Sequence, residues 1–296
     1  MNDKCISFNL DNNLFRGRIV RLDKLFADIF AHSEYPDDIA AAVAESTVLG
    51  VTFASLMKYD GLFTLQMQGN GAVSLLVTDV TSQGKVRSCA KYDAVAFKRL
   101  QKHKEEDEIL AAPHWLGQGS MIFTVDQGKH SELYQGMVEL RGKNMEECAL
   151  RYFKQSEQID THLRLFTQKK DSGWQAAAVL IQKMPTAADA DDYRQEKIQE
   201  LWNEDKILMD SLQKEEIFNL DLQEVLFRLY HEHDVRVVSE REYVFGCRCN
   251  REKLLDTLSS MSETDIKDMI EDGKITATCN FCGRVYSFDP SELLKH

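Results

Sequence analysis

The stretch Leu62-Phe-Thr-Leu-Gln-Met-Gln-Gly69-Asn70-Gly71-Ala-Val73-Ser-Leu-Leu-Val-Thr-Asp-Val80 reads as two strands, Leu62 to Gln68 and Val73 to Val80, around a tight turn. Gly-Asn-Gly is a hairpin signal because its residues enter the left-handed backbone region at little cost. The pattern recurs outward from there. Lys85 to Tyr92 follows the Ser82-Gln83-Gly84 turn, and Met121 to Val125 with Leu133 to Leu140 flank Gln127-Gly128-Lys129. His162 to Thr167 and Gln175 to Gln182 flank Asp171-Ser172-Gly173. Hairpins joined by short turns predict an α+β domain with antiparallel sheets, since a parallel sheet needs long crossovers.

Helices fall between these strands. Leu22, Leu25, Phe26, Ile29 and Phe30 follow the spacing of an amphipathic helix. Tyr35-Pro36-Asp37-Asp38 opens a second, Ala-rich helix to about Lys58, and Asn144 to Gln155 reads as a third.

The 296 residues are 43% hydrophobic and 28% charged, the balance of an ordinary globular protein with a real core. No uninterrupted apolar run approaches the roughly 20 residues a bilayer crossing needs. Met1 to Asn13 has no basic region leading into an apolar one, so no secretory signal is expected and the expected address is cytoplasmic. The net charge of -12 is unevenly spread. Residues 1–185 carry 22 basic and 23 acidic side chains, residues 186–240 carry 6 and 15, and residues 241–296 carry 8 and 10. That excess of acid argues against nucleic acid as a partner, because affinity there comes from neutralising phosphates. No membrane partner is expected either.

The charge shift begins after Pro185 and divides the chain into a core domain (1–185), an acidic helical linker (186–240) and a small C-terminal domain (241–296). Asp192 to Leu212 is helical in pattern, and Asp221-Leu-Gln-Glu224 resembles a capping box opening another helix. Their apolar residues, among them Leu201, Trp202, Leu208, Leu222, Leu226 and Leu229, are too sparse to make a core, so these helices must dock on a neighbour. In the tail, Asn250 and Ser262 are set to cap two short helices, Gly273 to end the second, and Ile275 to Thr278 with Val285 to Phe288 to form strands.

Four of the seven cysteines form two close pairs, Cys247-Arg-Cys249 and Cys279-Asn-Phe-Cys282-Gly283; Cys5, Cys89 and Cys148 are scattered and read as core residues. Two such pairs make a recurring four-thiolate zinc arrangement, predicting one Zn2+ per chain. A domain this small buries too little apolar surface to fold unaided, and metal ligation supplies the deficit. The ion is then either a permanent clamp or a sensor, because an oxidised thiolate has a resolving thiol beside it in each pair. The clamp corresponds to a constitutive zinc-ribbon interaction protein. A thiol–disulfide oxidoreductase is a further alternative, weakened by the lack of a βαβ context around the CxxC. His231 and His233 read as helix-end residues facing terminal carbonyls, and less readily as extra ligands.

The sequence resembles the redox-regulated heat-shock holdases, the thirty-three-kilodalton chaperonin family. The match rests on Cys247-Arg-Cys249-Asn-Arg-Glu252, Cys279-Asn-Phe-Cys282-Gly283 and Val225-Leu-Phe-Arg-Leu-Tyr-His-Glu232. It extends upstream to Gln66-Met-Gln-Gly69-Asn-Gly71, Tyr134-Gln-Gly136 and Tyr152-Phe-Lys-Gln-Ser-Glu-Gln158. Asp160 and Ala72 stand where proline is common in such chains, and residues 97–110 match nothing. The resemblance implies an ATP-independent chaperone, not an enzyme, that is inactive when reduced and zinc-bound. It also implies that oxidation joins Cys247 to Cys249 and Cys279 to Cys282, releases zinc, unfolds tail and linker, and gives a homodimer that holds unfolding client proteins. The linker stripes would then be client-binding surface in one redox state and docking face in the other.

Overall fold

The computed structural model describes residues 3–102, 112–128, 133–185 and 192–293. The chain begins with β1 (Lys4–Leu10) and β2 (Phe15–Leu22), then α1 (Leu25–Phe30) and α2 (Asp37–Leu56). The β3 (Leu62–Gly69), β4 (Val73–Thr81) and β5 (Lys85–Tyr92) meander follows, with α3 (Ala94–Lys102) and α4 (Ala112–Leu116). Next come β6 (Gly119–Asp126), β7 (Tyr134–Glu139), α5 (Met145–Tyr152), β8 (Thr161–Lys170) and β9 (Gly173–Lys183).

The predicted hairpins pair as expected: Leu65 faces Thr78 in β3–β4, and Leu163 faces Leu180 in β8–β9. Three readings shift. Leu22 ends strand β2 and is not on the helix, which starts at Leu25. The helix from Asn144 stops at Tyr152 and widens into a π turn over Phe153–Glu157, closed by Gln158 in the left-handed region. The 97–110 segment begins in α3, and its residues from 103 onward, like Lys129 of the β6–β7 turn, lie outside the described residues.

Beyond residue 191 the chain forms α6 (Asp192–Ser211), α7 (Lys214–Asn219) and α8 (Leu222–Tyr230), then β10 (Arg236–Glu242) and β11 (Val244–Phe245). Asp221 caps α8 by accepting from the Gln223 N–H; the full capping box forms instead at α7, where Gln213 and Glu216 bond each other's backbone. The tail is α9 (Arg251–Ser259), α10 (Glu263–Asp268), β12 (Ile270–Glu271), β13 (Lys274–Thr278), β14 (Val285–Phe288) and α11 (Pro290–Leu293). Asn250 and Ser262 cap α9 and α10 through their side chains. Gly273, at φ 76°, turns β12 into β13 and does not close a helix.

Two sheets result. One runs β10-β1-β2-β9-β8, antiparallel throughout; the other runs β11-β5-β4-β3-β6-β7, antiparallel except for the parallel β11–β5 pair. Helix α2 lies between them, packing on β2, β8 and β9 on one side and β3, β4 and β5 on the other. It is 20 residues long with mean hydropathy 1.6, matching a membrane span in length and composition, which counting uninterrupted apolar residues misses. The reason is packing: 78% of that window is buried inside the protein.

The outer face of the five-stranded sheet is covered by α6, α7 and α8. Ile6, Phe8, Phe15, Ile19 and Ile181 of the sheet meet Trp202, Met209, Phe218, Leu222, Leu226 and Tyr230 of the helices in one buried cluster. The expectation that these helices dock on a neighbour is met, and what they dock on is the five-stranded sheet. The tail has its own small core of Leu258, Ile266, Ile275, Phe288 and Leu293.

Candidate metal and redox centre

The two cysteine pairs reach one point from two directions. Cys247 and Cys249 follow β11, which pairs with Lys85–Val86 and so fixes the start of the tail against the second sheet. Cys279 directly follows β13, and a turn returns the chain to β14 through Cys282 and Gly283. In that turn the Gly283 N–H donates to the Cys279 carbonyl (2.9 Å) and the Cys279 N–H to the Arg284 carbonyl (2.9 Å). Gly283 sits at φ 64°, and a β-carbon there would stand 2.4 Å from His32 Cβ. Glycine is therefore required both by the turn and by the close approach of α1's trailing loop.

All four sulfurs lie within 4.8 Å of one another. Cys247 Sγ is 3.7 Å from Cys279 Sγ, and Cys249 Sγ is 3.5 Å from Cys282 Sγ. A disulfide bond measures about 2.05 Å, so these are free thiols. A tetrahedron with metal–sulfur bonds of 2.3 Å has sulfur–sulfur edges of about 3.8 Å, so the cluster has the size and donor chemistry of a tetrathiolate site. Electrostatics point the same way. Burial pushes Cys282 up to about 12, with Cys249 and Cys247 adding to it, and burial also raises Cys279. Cys247 is opposite: burial raises it, but the Cys249 N–H and then Arg87 pull it down to about 7. Sulfurs this close cannot all ionise without a cation among them.

Surrounding residues fix the centre. Arg87 Nη1 donates to Cys247 Sγ (3.6 Å), and Tyr286 Oη donates to Cys249 Sγ (3.2 Å). Arg87 lies over the Phe281 ring at 3.9 Å and pairs with buried Asp79 at 2.6 Å. Arg248 also reaches Asp79, at 3.3 Å. Arg87, Asp79 and Tyr286 carry no signal in the sequence, because nothing in spacing tells that β5 passes beneath the cysteine turn.

The sequence profile of the family described as Hsp33 protein matches residues 3–289. The chain belongs to the Hsp33 family. It is similar to the 33 kDa chaperonin of Caulobacter vibrioides strain NA1000, with 30% identity over 98% of this chain and 96% of that one. It is 33% identical to the 33 kDa chaperonin of Pseudomonas paraeruginosa strain PA7, covering 99% of this chain and 94% of the relative. The crystal structure of the 33 kDa chaperonin from Thermotoga maritima has the same fold, with a TM-score of 0.78 at 21% identity over 99% and 97% of the two chains. Hsp33 proteins are heat-shock chaperones that bind unfolded proteins; the chain is a chaperone and not an enzyme. This sets aside the oxidoreductase alternative.

Other Hsp33 positions singled out in the sequence resolve as follows. Cys5, Cys89 and Cys148 are buried, and burial lifts their thiols to about 11, 12 and 11. Trp202, Leu222, Leu226 and Leu229 are buried against the sheet, while Leu201 and Leu208 are partly covered at its margin. His231 is half-exposed, and His233 turns its ring to two carboxylates, Asp11 and Asp205, not to helix-end carbonyls. Neither belongs to the cysteine cluster.

Proposed function

We propose that the chain is a redox-regulated, ATP-independent holdase of the cytoplasm, built as a core domain (1–185), a helical linker (186–240) and a zinc switch (241–296). Cys247, Cys249, Cys279 and Cys282 would be the ligands of one Zn2+ per chain. The observation that carries this reading is the convergence of four reduced sulfurs, from two sequence pairs, at tetrahedral spacing. Bound zinc would hold the sulfurs as thiolates and cross-link the two halves of a tail whose own core is five residues.

The chain's own residues supply the rest. A peroxide-class oxidant takes two electrons from each pair. Cys247 and Cys249 would become one disulfide and Cys279 and Cys282 the other; each thiolate pair gives its two electrons to one peroxide, which takes two protons from solvent and leaves as two waters. Sulfurs tied within pairs no longer join the two halves of the tail. The folding free energy lost with the cross-link is on the order of 10 kcal/mol. Tail unfolding removes the Arg87 and Phe281 contacts, and β10 and α6–α8 are then held only by their own packing. Their departure exposes the apolar faces on both sides, including Leu201, Trp202, Leu208, Leu222, Leu226 and Leu229, to clients and to a second copy in an active homodimer.

The constitutive zinc-ribbon reading has no observation in its favour beyond the same four sulfurs. The test is suppression of aggregation of a thermally unfolding client before and after peroxide with mild heat, with zinc content and thiol count read together. Activity that rises as one zinc and four thiols disappear supports the switch. Equal activity in both states with zinc retained rejects it.

A further inference from the structure

A second cluster of ligand atoms lies where the linker meets the first domain. Asp11 sits in the β1–β2 turn, Asp205 on the inner side of α6, and His233 just after α8. Their side-chain atoms lie within 4.8 Å of one another. His233 Nδ1 is 3.1 Å from Asp205 Oδ1 and 3.4 Å from Asp11 Oδ2. The turn is built to present Asp11: Asp11, Asn12 and Asn13 all take positive φ (49°, 55° and 70°), and the Asp11 N–H donates to the His233 carbonyl at 2.8 Å.

Asp205 is the unusual member. It is fully buried, and neither of its carboxylate oxygens receives an aligned hydrogen bond. Only the His233 contact with Asp11 has hydrogen-bond alignment. A buried carboxylate without donors is costly, and this one also faces a second carboxylate. Two carboxylates carry a charge that a divalent cation cancels, and the imidazole adds a nitrogen donor. With metal–oxygen and metal–nitrogen bonds of 2.0–2.1 Å, tetrahedral ligand edges are about 3.3 Å, which the 3.1 and 3.4 Å separations bracket. Imidazole in the set selects a borderline transition ion over Ca2+ or Mg2+. Asp11 also lines a cleft of about 480 Å³ with Asn12, Arg194, Lys197, Glu232 and Asp234, so the cluster is reached from solvent at its Asp11 side.

We propose that Asp11, Asp205 and His233 form a second metal site, for a divalent transition cation of the Zn2+ class. Such an ion ties α6, through Asp205, and the segment after α8, through His233, to the β1–β2 turn. Its regulatory consequence rests on the holdase reading: free zinc would keep the linker docked after the cysteines are oxidised, and so raise the threshold for activation.

The test uses the full reduced chain equilibrated with buffered micromolar free Zn2+, with bound zinc per chain counted by mass spectrometry. A Co2+ titration runs in parallel, in which thiolate charge-transfer absorption reads the cysteine site alone. The expected result is two zinc ions in the unsubstituted chain and one in Asp205→Asn and in His233→Gln, each keeping the thiolate band. A single zinc ion in the unsubstituted chain with the thiolate band present overturns the proposal, as do two in both variants. That result needs only the unsubstituted chain, so it stands even where a variant fails to fold. Loss of the thiolate band with a second ion still bound would instead count against the cysteine site, so the two failures are distinguishable. Zinc should also slow amide exchange in α6 at least about tenfold in the unsubstituted chain and leave it unchanged in His233→Gln.

Discussion

Arg87 donates to Cys247 across 3.6 Å while its other nitrogens hold Asp79 Oδ2 at 2.6 and 2.8 Å, so one guanidinium joins the second sheet to the cysteine centre. Arg87 also covers Phe281, between Cys279 and Cys282, and thereby touches both cysteine pairs. Both partners of the ion pair are largely buried, with 14% and 7% of the side chains exposed. Replacing Arg87 by Ala leaves Asp79 with only Thr64 and the more distant Arg248, at a cost of about 3 kcal/mol. The expected outcome is a tail that still takes up zinc but no longer docks. Hydrogen exchange in residues 279–288 should accelerate, and unchanged protection there would show that β11 alone holds the tail.

Much of the fold was legible because its turns are punctuated by glycine, and the cysteine cluster because its members come in two close pairs. Gly69-Asn70-Gly71 and Gly173 announce their hairpins directly. The β1–β2 hairpin escaped notice because its turn, Asp11-Asn12-Asn13, reaches left-handed angles without glycine. Asp and Asn are the side chains that tolerate this, so that run was the available signal. Strand β10 left no trace in the pattern, since every residue of it is exposed. It is a strand because β1 has an open edge to pair with, a tertiary cause invisible to periodicity. The cysteine cluster was readable; its neighbours Arg87, Asp79 and Tyr286 were not, because they come from distant strands.

Gly283 is a second point of contact between tail and core. In Gly283→Ala the new methyl meets His32 Cβ at 2.4 Å and the residue keeps a φ of 64°. The left-handed conformation alone costs about 1 kcal/mol, and the clash adds to it unless His32 moves. The variant should lose zinc to a competing chelator faster than the unsubstituted chain, and His32→Gly should restore part of the difference. An identical chelation rate in Gly283→Ala would mean that the turn is free to shift.

Leu226 tests whether the linker is a cover. It is 1% exposed at the centre of the α8 contact with the five-stranded sheet. Truncation to Ala removes about 2–5 kcal/mol of packing. Because the cysteines are untouched, the reduced, zinc-loaded variant should suppress client aggregation without oxidant, and titrate four accessible or zinc-held thiols in the tail. Reduced Leu226→Ala that is as inactive as the unsubstituted chain would place the client surface elsewhere.

Glu45 sets an expected pH dependence in the core itself. It lies on α2 between the sheets, where burial lifts its carboxyl to about 7; a hydrogen bond from Thr167 Oγ1 (3.4 Å) lowers it and nearby Glu146 raises it. The folded-state value is above the ordinary 4.5, so the folded protein binds this proton more tightly than the unfolded chain. Its contribution is therefore fully present below pH 4.5 and is lost as pH rises through about 7. A shift of this size corresponds to roughly 1–3 kcal/mol after allowing for partial exposure of the side chain. Glu45→Gln keeps an acceptor for Thr167 and removes the ionisation. Urea unfolding of the reduced protein at pH 5 and pH 8 should give a variant that gains stability relative to the unsubstituted chain mainly at the higher pH. An equal difference at both values would show that Glu45 is solvated and that α2 tolerates its charge.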